Sequence, residues 1–266
     1  MKLFVIIVGF NNGEDVMRIV ESLGKEEVSG WELKIIVVDN GGNQKFNSQQ
    51  STFNIKIIKN QKNLGFAKGA NIGIKYALKN GAERILLLNP DTVVEPGVIK
   101  TLIANEADII SPVIKFQRND QWIYDFGGRI NWWLGRTNHL ESSKLTMKQL
   151  NNEIIDYVSG CCMLIKHQVF EKIGLFDERF FLYFEDVDFC VRAKRAGLKV
   201  AVEPKVSIIH NLTEGVKKPF SSQLELIKSN VKFIYKYLGF TKPLGYLYCL
   251  VLSVKLCINR LFQQSS

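Results

Sequence analysis

Two adjacent acids, Glu185 and Asp186, follow a stretch that is rich in phenylalanine and tyrosine, residues 176–184. Apolar surroundings raise the pKa of a carboxyl group and can make it a general base for proton transfer. A structural explanation stays open, because acids are favoured in the first turn of a helix and Asp188 forms an (i, i+4) pair with Arg192. The pattern predicts that residue 185 or residue 186 is catalytic.

A third acid, Asp91, comes directly after the apolar run of residues 85–88 and the pair Asn89-Pro90. A carboxylate in that place can bind a hard divalent cation that bridges two phosphates. It can equally cap a helix that begins near Glu95. His210 also follows an apolar run; a lone histidine is more often structural, but at the end of a strand it becomes a candidate metal ligand.

Polar residues follow three of the predicted strands, at the ends where ligands bind in open α/β sheets. They are Gly9, Phe10 and Asn11 after the first strand, Asp39 after the second, and Asn89 and Asp91 after the fourth. An acid in the position of Asp39 can hydrogen-bond a ribose or a base edge, although it can also start a turn before Gly41. The set predicts a nucleotide site at this edge of the sheet.

Glycines recur every four residues at positions 65, 69 and 73, so they share one face of a predicted helix. Each costs about 1 kcal/mol of helix propensity relative to alanine. Such a stripe indicates close approach of the backbone to another group. Packing against the sheet explains the glycines well, but it does not explain Asn63 and Asn71. We therefore predict that Asn63, Gly65 and Asn71 belong to the nucleotide site.

The elements that must position these residues alternate along the chain. Apolar runs predict strands over residues 3–8, 33–38, 55–58, 84–88, 107–110, 199–202 and 206–209. Helical spacing predicts helices over residues 15–23, 65–78, 166–173 and 185–196. Residues 141–152 are polar and predict an exposed loop. The fold class is α/β, with a mostly parallel central sheet in a single nucleotide-binding domain over residues 1–220.

The net charge of +9 is concentrated at one end of the chain. Eight basic residues and one acid lie between Lys217 and the C-terminus, so the remainder of the chain is nearly neutral. A nearly neutral domain argues against a nucleic-acid-binding protein. The distribution instead predicts that one end of the molecule touches an anionic surface.

The C-terminal segment, residues 221–266, is predicted to be a basic, helical tail. Its apolar run, residues 244–254, is about eleven residues long, whereas a bilayer-spanning helix needs about twenty. Tyr246, Tyr248 and the flanking cations favour a helix that lies in a membrane interface. The alternative is a helix that packs on the domain or on a second copy in a homo-oligomer.

Five cysteines are present, in odd number and without a C-x-x-C pair. This usage is typical of reduced, mostly buried thiols in a cytosolic protein.

Taken in order, these motifs resemble the inverting glycosyltransferases of family 2, which have the GT-A fold, and in particular the rhamnosyltransferase-like branch. The resemblance covers residues 3–212. Residues 5–11 resemble the opening strand of the family, Asp39 its donor-nucleotide acid and residues 63–73 its asparagine–glycine helix. Asn89-Pro90-Asp91 resembles its metal-binding D-x-D motif, with asparagine in place of the first acid. Glu185-Asp186 resembles the family's Glu-Asp motif, and His210 its later metal-binding histidine.

The resemblance implies one in-line displacement at the anomeric carbon of a nucleoside-diphosphate sugar. Glu185 or Asp186 would take the proton of the acceptor hydroxyl, and both remain candidates. Asp91 and His210 would hold Mg²⁺ or Mn²⁺ against the departing diphosphate. Gly160 and Cys161 would line the boundary between donor and acceptor.

The resemblance also implies a setting. The acceptor would be a glycan or a lipid-linked glycan of bacterial surface polysaccharide synthesis, and the enzyme would be cytoplasmic and peripheral at the inner face of the cell membrane. A deoxythymidine-diphosphate-linked rhamnose is the first expected donor, and a uridine-diphosphate hexose or N-acetylhexosamine the second. A non-enzymatic protein that binds anionic surfaces is a further alternative. A dinucleotide-dependent oxidoreductase is disfavoured because no G-x-G-x-x-G motif follows the first strand.

Overall fold

The apolar runs of the first half of the chain form strands that alternate with helices. The computed structural model describes residues 1–24, 26, 28–42, 55–143, 155–211 and 219–264. The first elements are β1 (Lys2–Gly9), α1 (Gly13–Leu23), β2 (Glu32–Asp39), β3 (Ile55–Lys59), α2 (Phe66–Lys79), β4 (Arg84–Leu88), β5 (Thr92–Val94) and α3 (Val98–Ala104). Strand β5 and helix α3 were not predicted, and the other bounds lie within a few residues of the predicted strands and helices.

The second half contains more strand than the sequence pattern indicated. Its elements are β6 (Ile109–Arg118), β7 (Gln121–Asn131), β8 (Arg136–Ser142), β9 (Cys162–Lys166), α4 (His167–Ile173), α5 (Glu185–Arg195), β10 (Val200–His210), α6 (Phe220–Tyr237) and α7 (Lys242–Gln264). The two predicted final strands are one strand, β10, whose register shifts between Glu203 and Ser207. The predicted loop at 141–152 begins inside β8, and residues 144–154 lie outside the described residues.

The strands form one sheet in the order β3-β2-β1-β4-β9-β6-β10-β5, and a hairpin of β7 and β8 extends from β6. Strands β3, β2, β1 and β4 are parallel. Because β9 is antiparallel to both β4 and β6, and β10 is parallel to β6, only β9 and β5 run against the others along this path. The prediction of an α/β fold with a mostly parallel central sheet is confirmed.

This topology brings the candidate residues to one edge of the sheet. Parallel strands end at the same edge, so the ends of β1, β2, β4 and β10 lie together. An antiparallel strand begins where its neighbours end, and Cys162 at the start of β9 is paired with Leu88 at the end of β4. The segment just before β9 therefore belongs to the same edge as the segment just after β4.

Both faces of the sheet are covered, which is why its strands read as continuous apolar runs. Side chains alternate along β1: Phe4 and Ile6 enter one buried cluster, and Leu3, Val5 and Ile7 enter the other. Helices α2, α5 and α6 contribute to the first cluster, and α1 and α3 to the second.

The predicted C-terminal tail consists of two helices with different surroundings. Helix α6 is part of the core, since Phe233 and Ile234 are fully buried in the first cluster. Helix α7 is mostly exposed, and only 17% of the stretch Lys242–Leu261 is buried. The structure thus extends the domain beyond residue 220, and α7 lies on its surface with most of its side chains exposed.

Helix α7 is also longer than the apolar run of about eleven residues that the sequence analysis identified. It contains 23 residues, because the chain continues as a helix through Lys255. By length and composition alone, the 20 residues Lys242–Leu261 are sufficient to cross a membrane. The expectation that this segment is too short to span a bilayer was therefore wrong.

Helix α6 is fastened to α5 through Asp188, which is fully buried. One carboxylate oxygen accepts hydrogen bonds from Lys236 (2.5 Å) and the hydroxyl of Tyr237 (2.6 Å), and the other accepts one from Arg192 (2.8 Å). Arg192 also donates to the carbonyls of Ile173 and Leu175. Two cationic side chains and one hydroxyl thus satisfy both oxygens of this buried carboxylate.

Removing that carboxylate should strongly destabilise the domain. Replacement Asp188→Ala leaves Arg192 without its carboxylate partner and Lys236 with Asp177 alone, and breaking a buried pair typically costs about 3–5 kcal/mol. We expect the free energy of unfolding, measured by urea denaturation, to fall by that amount. The control is Glu225→Ala, which breaks a surface pair with Lys228 and should cost less than about 1 kcal/mol. Equal losses in the two variants would contradict the central role of Asp188.

Candidate functional site

The turn after β4, Asn89-Pro90-Asp91, is held from both sides. The amide of Asn89 donates to the carbonyl of Cys161 at 2.8 Å, and its carbonyl accepts from the hydroxyl of Thr92 at 2.6 Å. The amide of Asn211, just after β10, donates to the carbonyl of Asp91 at 2.8 Å. The position of the Asp91 side chain is therefore fixed by two neighbouring strands.

Asp91 and His210 lie side by side. Strand β5 runs antiparallel to β10 and places His210 opposite Thr92. As a result, Nε2 of His210 is 3.2 Å from Oδ1 of Asp91. Within the described part of the chain, that oxygen is buried and makes no hydrogen bond.

This pair fits a shared divalent cation. Two ligands of an octahedral Mg²⁺, each at about 2.1 Å and at right angles, are about 3 Å apart. Among the described residues, no cluster of three or more His, Cys, Asp or Glu side chains could hold a metal. The protein would thus supply two ligands and leave the others to phosphate oxygens and water, which is the usual composition of a Mg²⁺ site at a diphosphate.

The residues predicted for the nucleoside come together beside this turn. Gly9 at the end of β1 is paired with Asp39 at the end of β2. Phe10 is 44% exposed, and Asn11 is exposed and has a positive φ of 57°. Gly42 approaches this segment closely, because a Cβ at that position would lie 2.9 Å from the backbone nitrogen of Asn11.

Asn63 belongs to a hydrogen-bonded loop that borders the same edge. Its centre is Asn40, which is 2% exposed and donates to Oδ1 of Asn63 (3.1 Å) and to the carbonyl of Gly65 (3.0 Å). Oδ1 of Asn40 accepts from the amide of Leu64 and from the side chain of Asn60. This network gives the loop between β3 and α2 a defined shape.

The glycine stripe of α2 serves close packing. A Cβ at Gly69 or Gly73 would lie 2.9 Å from Val8 or 2.6 Å from Ile6 on β1. Gly65 has a φ of 81°, and a Cβ there would lie 2.3 Å from the carbonyl oxygen of Phe181. The backbone approached by Gly65 is therefore the segment that leads to Glu185 and Asp186.

Asn71 has a structural contact in place of a ligand. It is 1% exposed, its side-chain amide donates to the carbonyl of Phe176 (2.9 Å) and to Glu178 (3.1 Å), and its Oδ1 accepts from the amide of Phe176 (3.0 Å). These bonds occupy both ends of the side chain. We therefore exclude Asn71 from the nucleotide site and assign it to holding the segment before α5.

Glu185 and Asp186 start α5 after a strained turn. Tyr183 and Phe184 both have a φ of 67°, in the left-handed region of backbone conformation that residues other than glycine rarely adopt. Such residues cost about 1–3 kcal/mol each and persist only where packing enforces them. The buried ring of Phe184 lies 5.3 Å from the ring of Phe233 on α6, which supplies that packing.

Asp186 is held by two backbone amides. Its Oδ2 accepts from Gly160 at 3.0 Å and its Oδ1 from Val187 at 2.8 Å. A Cβ at Gly160 would lie 3.3 Å from Cβ of Asp186, so the space beside this glycine is taken by the acid and not by substrate. Cys161 does not line an open boundary between donor and acceptor either, since it is 5% exposed. Burial raises the pKa of its thiol to about 12.

The two acids differ in their protonation. Burial, followed by the charge of Asp186, raises the pKa of Glu185 well above its ordinary value. Its Oε2 is buried and makes no hydrogen bond to any described residue. Burial also raises the pKa of Asp186, but the amides of Gly160 and Val187 and the charge of His139 oppose the shift. Asp186 is therefore the more readily ionised of the pair.

The sequence analysis singled out neither Asp125 nor His139, which form a pair in the hairpin next to Asp186. Nδ1 of His139 on β8 lies 2.8 Å from Oδ2 of Asp125 on β7. These residues are 14 positions apart, and no local pattern connects them. The pairing register of the hairpin, which the sequence did not predict, was needed to find them.

Comparison with known proteins places this geometry in a family. Residues 2–227 match the glycosyltransferase like family 2. The chain is 32% identical over 215 residues to a low-salt glycan biosynthesis hexosyltransferase of Haloferax volcanii, covering 79% of this chain and 67% of that protein. It is 27% identical over 180 residues to a dTDP-rhamnosyl transferase of Shigella flexneri, covering 66% of this chain and 59% of that one.

A solved structure supports the same placement. GalNAc-T7 with UDP, GalNAc and Mn²⁺ superimposes with a TM-score of 0.68 at 16% identity, over 88% of this chain and 48% of that one. This likeness shows the GT-A fold. The match of the family model over residues 2–227 shows that the chain belongs to the glycosyltransferase like family 2.

Proposed function

We propose that the chain is an inverting transferase that moves a sugar from a nucleoside diphosphate to a hydroxyl group of a glycan or lipid-linked acceptor. The observation that carries the proposal is the connection between two chemical groups across Gly160-Cys161. The amide of Gly160 binds Asp186, and the carbonyl of the next residue, Cys161, binds the turn that bears Asp91. A proton acceptor and a phosphate-facing carboxylate are thus joined through two consecutive residues.

In this proposal Asp91 and His210 hold Mg²⁺ or Mn²⁺ at the donor diphosphate. The bound cation would neutralise the charge that develops on the departing nucleoside diphosphate. The buried, unbonded Oδ1 of Asp91 beside Nε2 of His210 supports the assignment. The presence of UDP and Mn²⁺ in GalNAc-T7 supports it by analogy.

The nucleoside would lie at the ends of β1 and β2, against Gly9, Phe10, Asn11 and Asp39. Asp39 would accept hydrogen bonds from the ribose or the base edge. Asn89 faces the diphosphate in this arrangement. The loop of Asn63 and Gly65 would close the side of the site, through the contacts that give it its shape.

Asp186 is the general base of the proposed reaction. The acceptor O–H gives its proton to Asp186 while the acceptor oxygen bonds to the anomeric carbon. The bond between that carbon and the phosphate oxygen breaks, and the nucleoside diphosphate leaves with the electron pair. We assign Glu185 as the protonated partner, because burial and the neighbouring charge of Asp186 raise its pKa and its Oε2 makes no hydrogen bond to a described residue, whereas two backbone amides bind the carboxylate of Asp186.

The first candidate for the donor is dTDP-rhamnose, since one relative is a dTDP-rhamnosyl transferase. The more similar relative is a hexosyltransferase, so a nucleotide-linked hexose or N-acetylhexosamine is the second candidate. Both relatives are longer than the aligned region, and the donor and the acceptor of this chain are part of the proposal.

We further propose that α7 holds the enzyme on the cytoplasmic face of a membrane. Its large apolar side chains lie on an exposed face: Leu247, Leu250, Val251, Val254, Ile258 and Leu261 are each 45% or more exposed. Lys255 and Arg260 lie on the same helix, where cations near an anionic lipid surface each contribute about 1 kcal/mol. A peripheral position is proposed because one face of α7, through Gly245 and Cys249, remains packed on α6.

Replacement of the base should remove the transfer step and spare donor binding. Removing a general base typically costs 10²–10⁴-fold in rate, so we expect Asp186→Asn to lower kcat by at least about 100-fold. Glu185→Gln should cost less, because it replaces a neutral acid by a neutral amide. Glu171→Gln, an exposed acid of α4, is the control. Sugar release from the donor measures all four proteins, and a fully active Asp186→Asn protein would contradict the assignment.

Replacement of Asp91 should remove metal-dependent donor binding. Calorimetric titration of dTDP-rhamnose, UDP-glucose and UDP-N-acetylglucosamine, with Mn²⁺ and with chelator, should identify one donor whose binding needs the metal. In Asp91→Asn we expect its affinity with Mn²⁺ to fall to the value measured with chelator. Asp120→Asn, in the turn between β6 and β7, should bind as the unmodified protein does. Metal-dependent binding that survives in Asp91→Asn would argue against this ligand.

Charge on the exposed face of α7 should release the protein from membranes. The double replacement Leu250→Glu and Val254→Glu places two acids where apolar side chains would contact lipid. We expect loss of flotation with vesicles that contain phosphatidylglycerol. Asn259→Glu adds an acid elsewhere on α7 and should reduce flotation only slightly. Unchanged flotation of the double variant, or a change in oligomeric state without any flotation of the unmodified protein, would contradict a membrane role.

A further inference from the structure

The hairpin of β7 and β8 contains a buried acid paired with a partly exposed histidine. Asp125 is 6% exposed and its Oδ2 lies 2.8 Å from Nδ1 of His139, whose side chain is 44% exposed. The other oxygen of Asp125 accepts from the amide of Gly127 at 2.9 Å. An ionised acid in this contact fixes a proton on Nδ1 and leaves Nε2 as the nitrogen that exchanges protons.

A bulge in the hairpin builds this pair. Asp125 is opposite Glu141 and Gly128 is opposite His139, so β7 has one residue more than β8 between these two points. Gly127, inside the bulge, has a φ of 84°. Bulges re-aim side chains and are frequent beside active sites. Here the bulge lets the side chain of Asp125 reach His139 along the hairpin.

The histidine ring is also held from its other side. Gly128 leaves room for Tyr157, whose ring atoms would lie 2.2 Å from a Cβ at that position. The rings of Tyr157 and His139 are 5.6 Å apart and nearly perpendicular. Tyr157 is followed closely by Gly160, the residue that binds Asp186. The hairpin, the tyrosine and the proposed base therefore form one connected assembly.

The charges around the ring favour its protonated form. Burial lowers the pKa of His139, but the hydrogen bond and charge of Asp125, and the charges of Asp186 and Glu141, raise it overall. In turn, the positive charge of His139 opposes the upward shift of the pKa of Asp186. The other titratable groups near Asp186 are Glu185, Tyr157, Cys161 and Cys190; the charge of Asp186 raises their pKa values.

We propose that Asp125 and His139 are positioning residues of the transfer reaction: they hold an imidazolium near Asp186 and so keep this partly buried carboxylate ionised and ready to accept the acceptor proton. The inference rests on the proposed role of Asp186 as the base. It explains why Asp125 is buried in the hairpin of β7 and β8. It also supplies a nearby cation for a partly buried base that must carry charge at neutral pH.

Titration of the histidines tests the coupling without any substrate. The chain has three, His139, His167 and His210, so their side-chain NMR signals can be assigned with single His→Gln variants. We expect Asp186→Asn to lower the titration midpoint of His139 by about one pH unit, as loss of a nearby charge does. His167, paired with Glu171 on α4, is the internal control and should not move. An unchanged midpoint of His139 would overturn the inference.

The pH profile of sugar release from the donor supplies a second test. In His139→Gln we expect the acidic limb of kcat/KM to move up by about one pH unit, with activity recovered at higher pH. Asp125→Asn should move it in the same direction. A merely structural role would lower activity by one factor at every pH, and that result would overturn the inference. His167→Gln is the matched control.

The two hypotheses fail differently. If Asp186→Asn is inactive but leaves the titration of His139 unchanged, the base assignment stands and the role of the pair falls. If Asp186→Asn shifts the titration midpoint of His139 and yet retains full activity, Asp186 is not the base, and the proposed role of Asp125 and His139 is overturned as well. Backbone NMR spectra of each variant show whether it is folded, and His139→Gln provides the test if Asp125→Asn does not fold.

Discussion

Two consecutive residues, Gly160 and Cys161, connect the two parts of the candidate site. The amide of Gly160 binds Asp186 at the start of α5, and the carbonyl of Cys161 binds the amide of Asn89 at the end of β4. The connection depends on one reversed strand. Because β9 runs against β4, its first residues lie where β4 ends, and an acid from a distant helix can be fixed beside the turn that bears Asp91. A parallel strand in this place would have put its first residues at the opposite edge.

Much of the remaining structure keeps Asp186 and Glu185 in an unfavourable place. A carboxyl group without water, next to a second one, is costly to ionise, and the backbone that leads to the pair is in the left-handed region at Tyr183 and Phe184. Three contacts offset these costs. Asn71 binds the backbone of Phe176, the amide of Phe66 at the start of α2 donates to the carbonyl of Phe181, and α6 packs on Phe184. Asp188, a few residues further on, binds α6 to the same helix.

The parts that could be predicted from sequence are those whose signal is local. Strands buried on both faces give continuous apolar runs, so β1, β2 and β4 were predicted within a residue or two, and with them the strand ends that carry Gly9, Asp39 and Asp91. The hairpin of β7 and β8 was not predicted, because its glycines, bulge and half-exposed residues give no regular alternation. Asp125 and His139 were missed with it. Asn71 was misjudged because an asparagine that binds backbone and one that binds a ligand look the same in sequence.

The contact between the last two helices has a geometric consequence. Gly245 allows α7 to approach Ile234 closely, and Ile234 is itself locked in the core, so α7 cannot swing independently of the domain. Whatever surface the exposed face of α7 rests on is then held at one height and one tilt relative to the ends of the strands. As a result, only hydroxyl groups that project from that surface by one particular distance could enter the cleft.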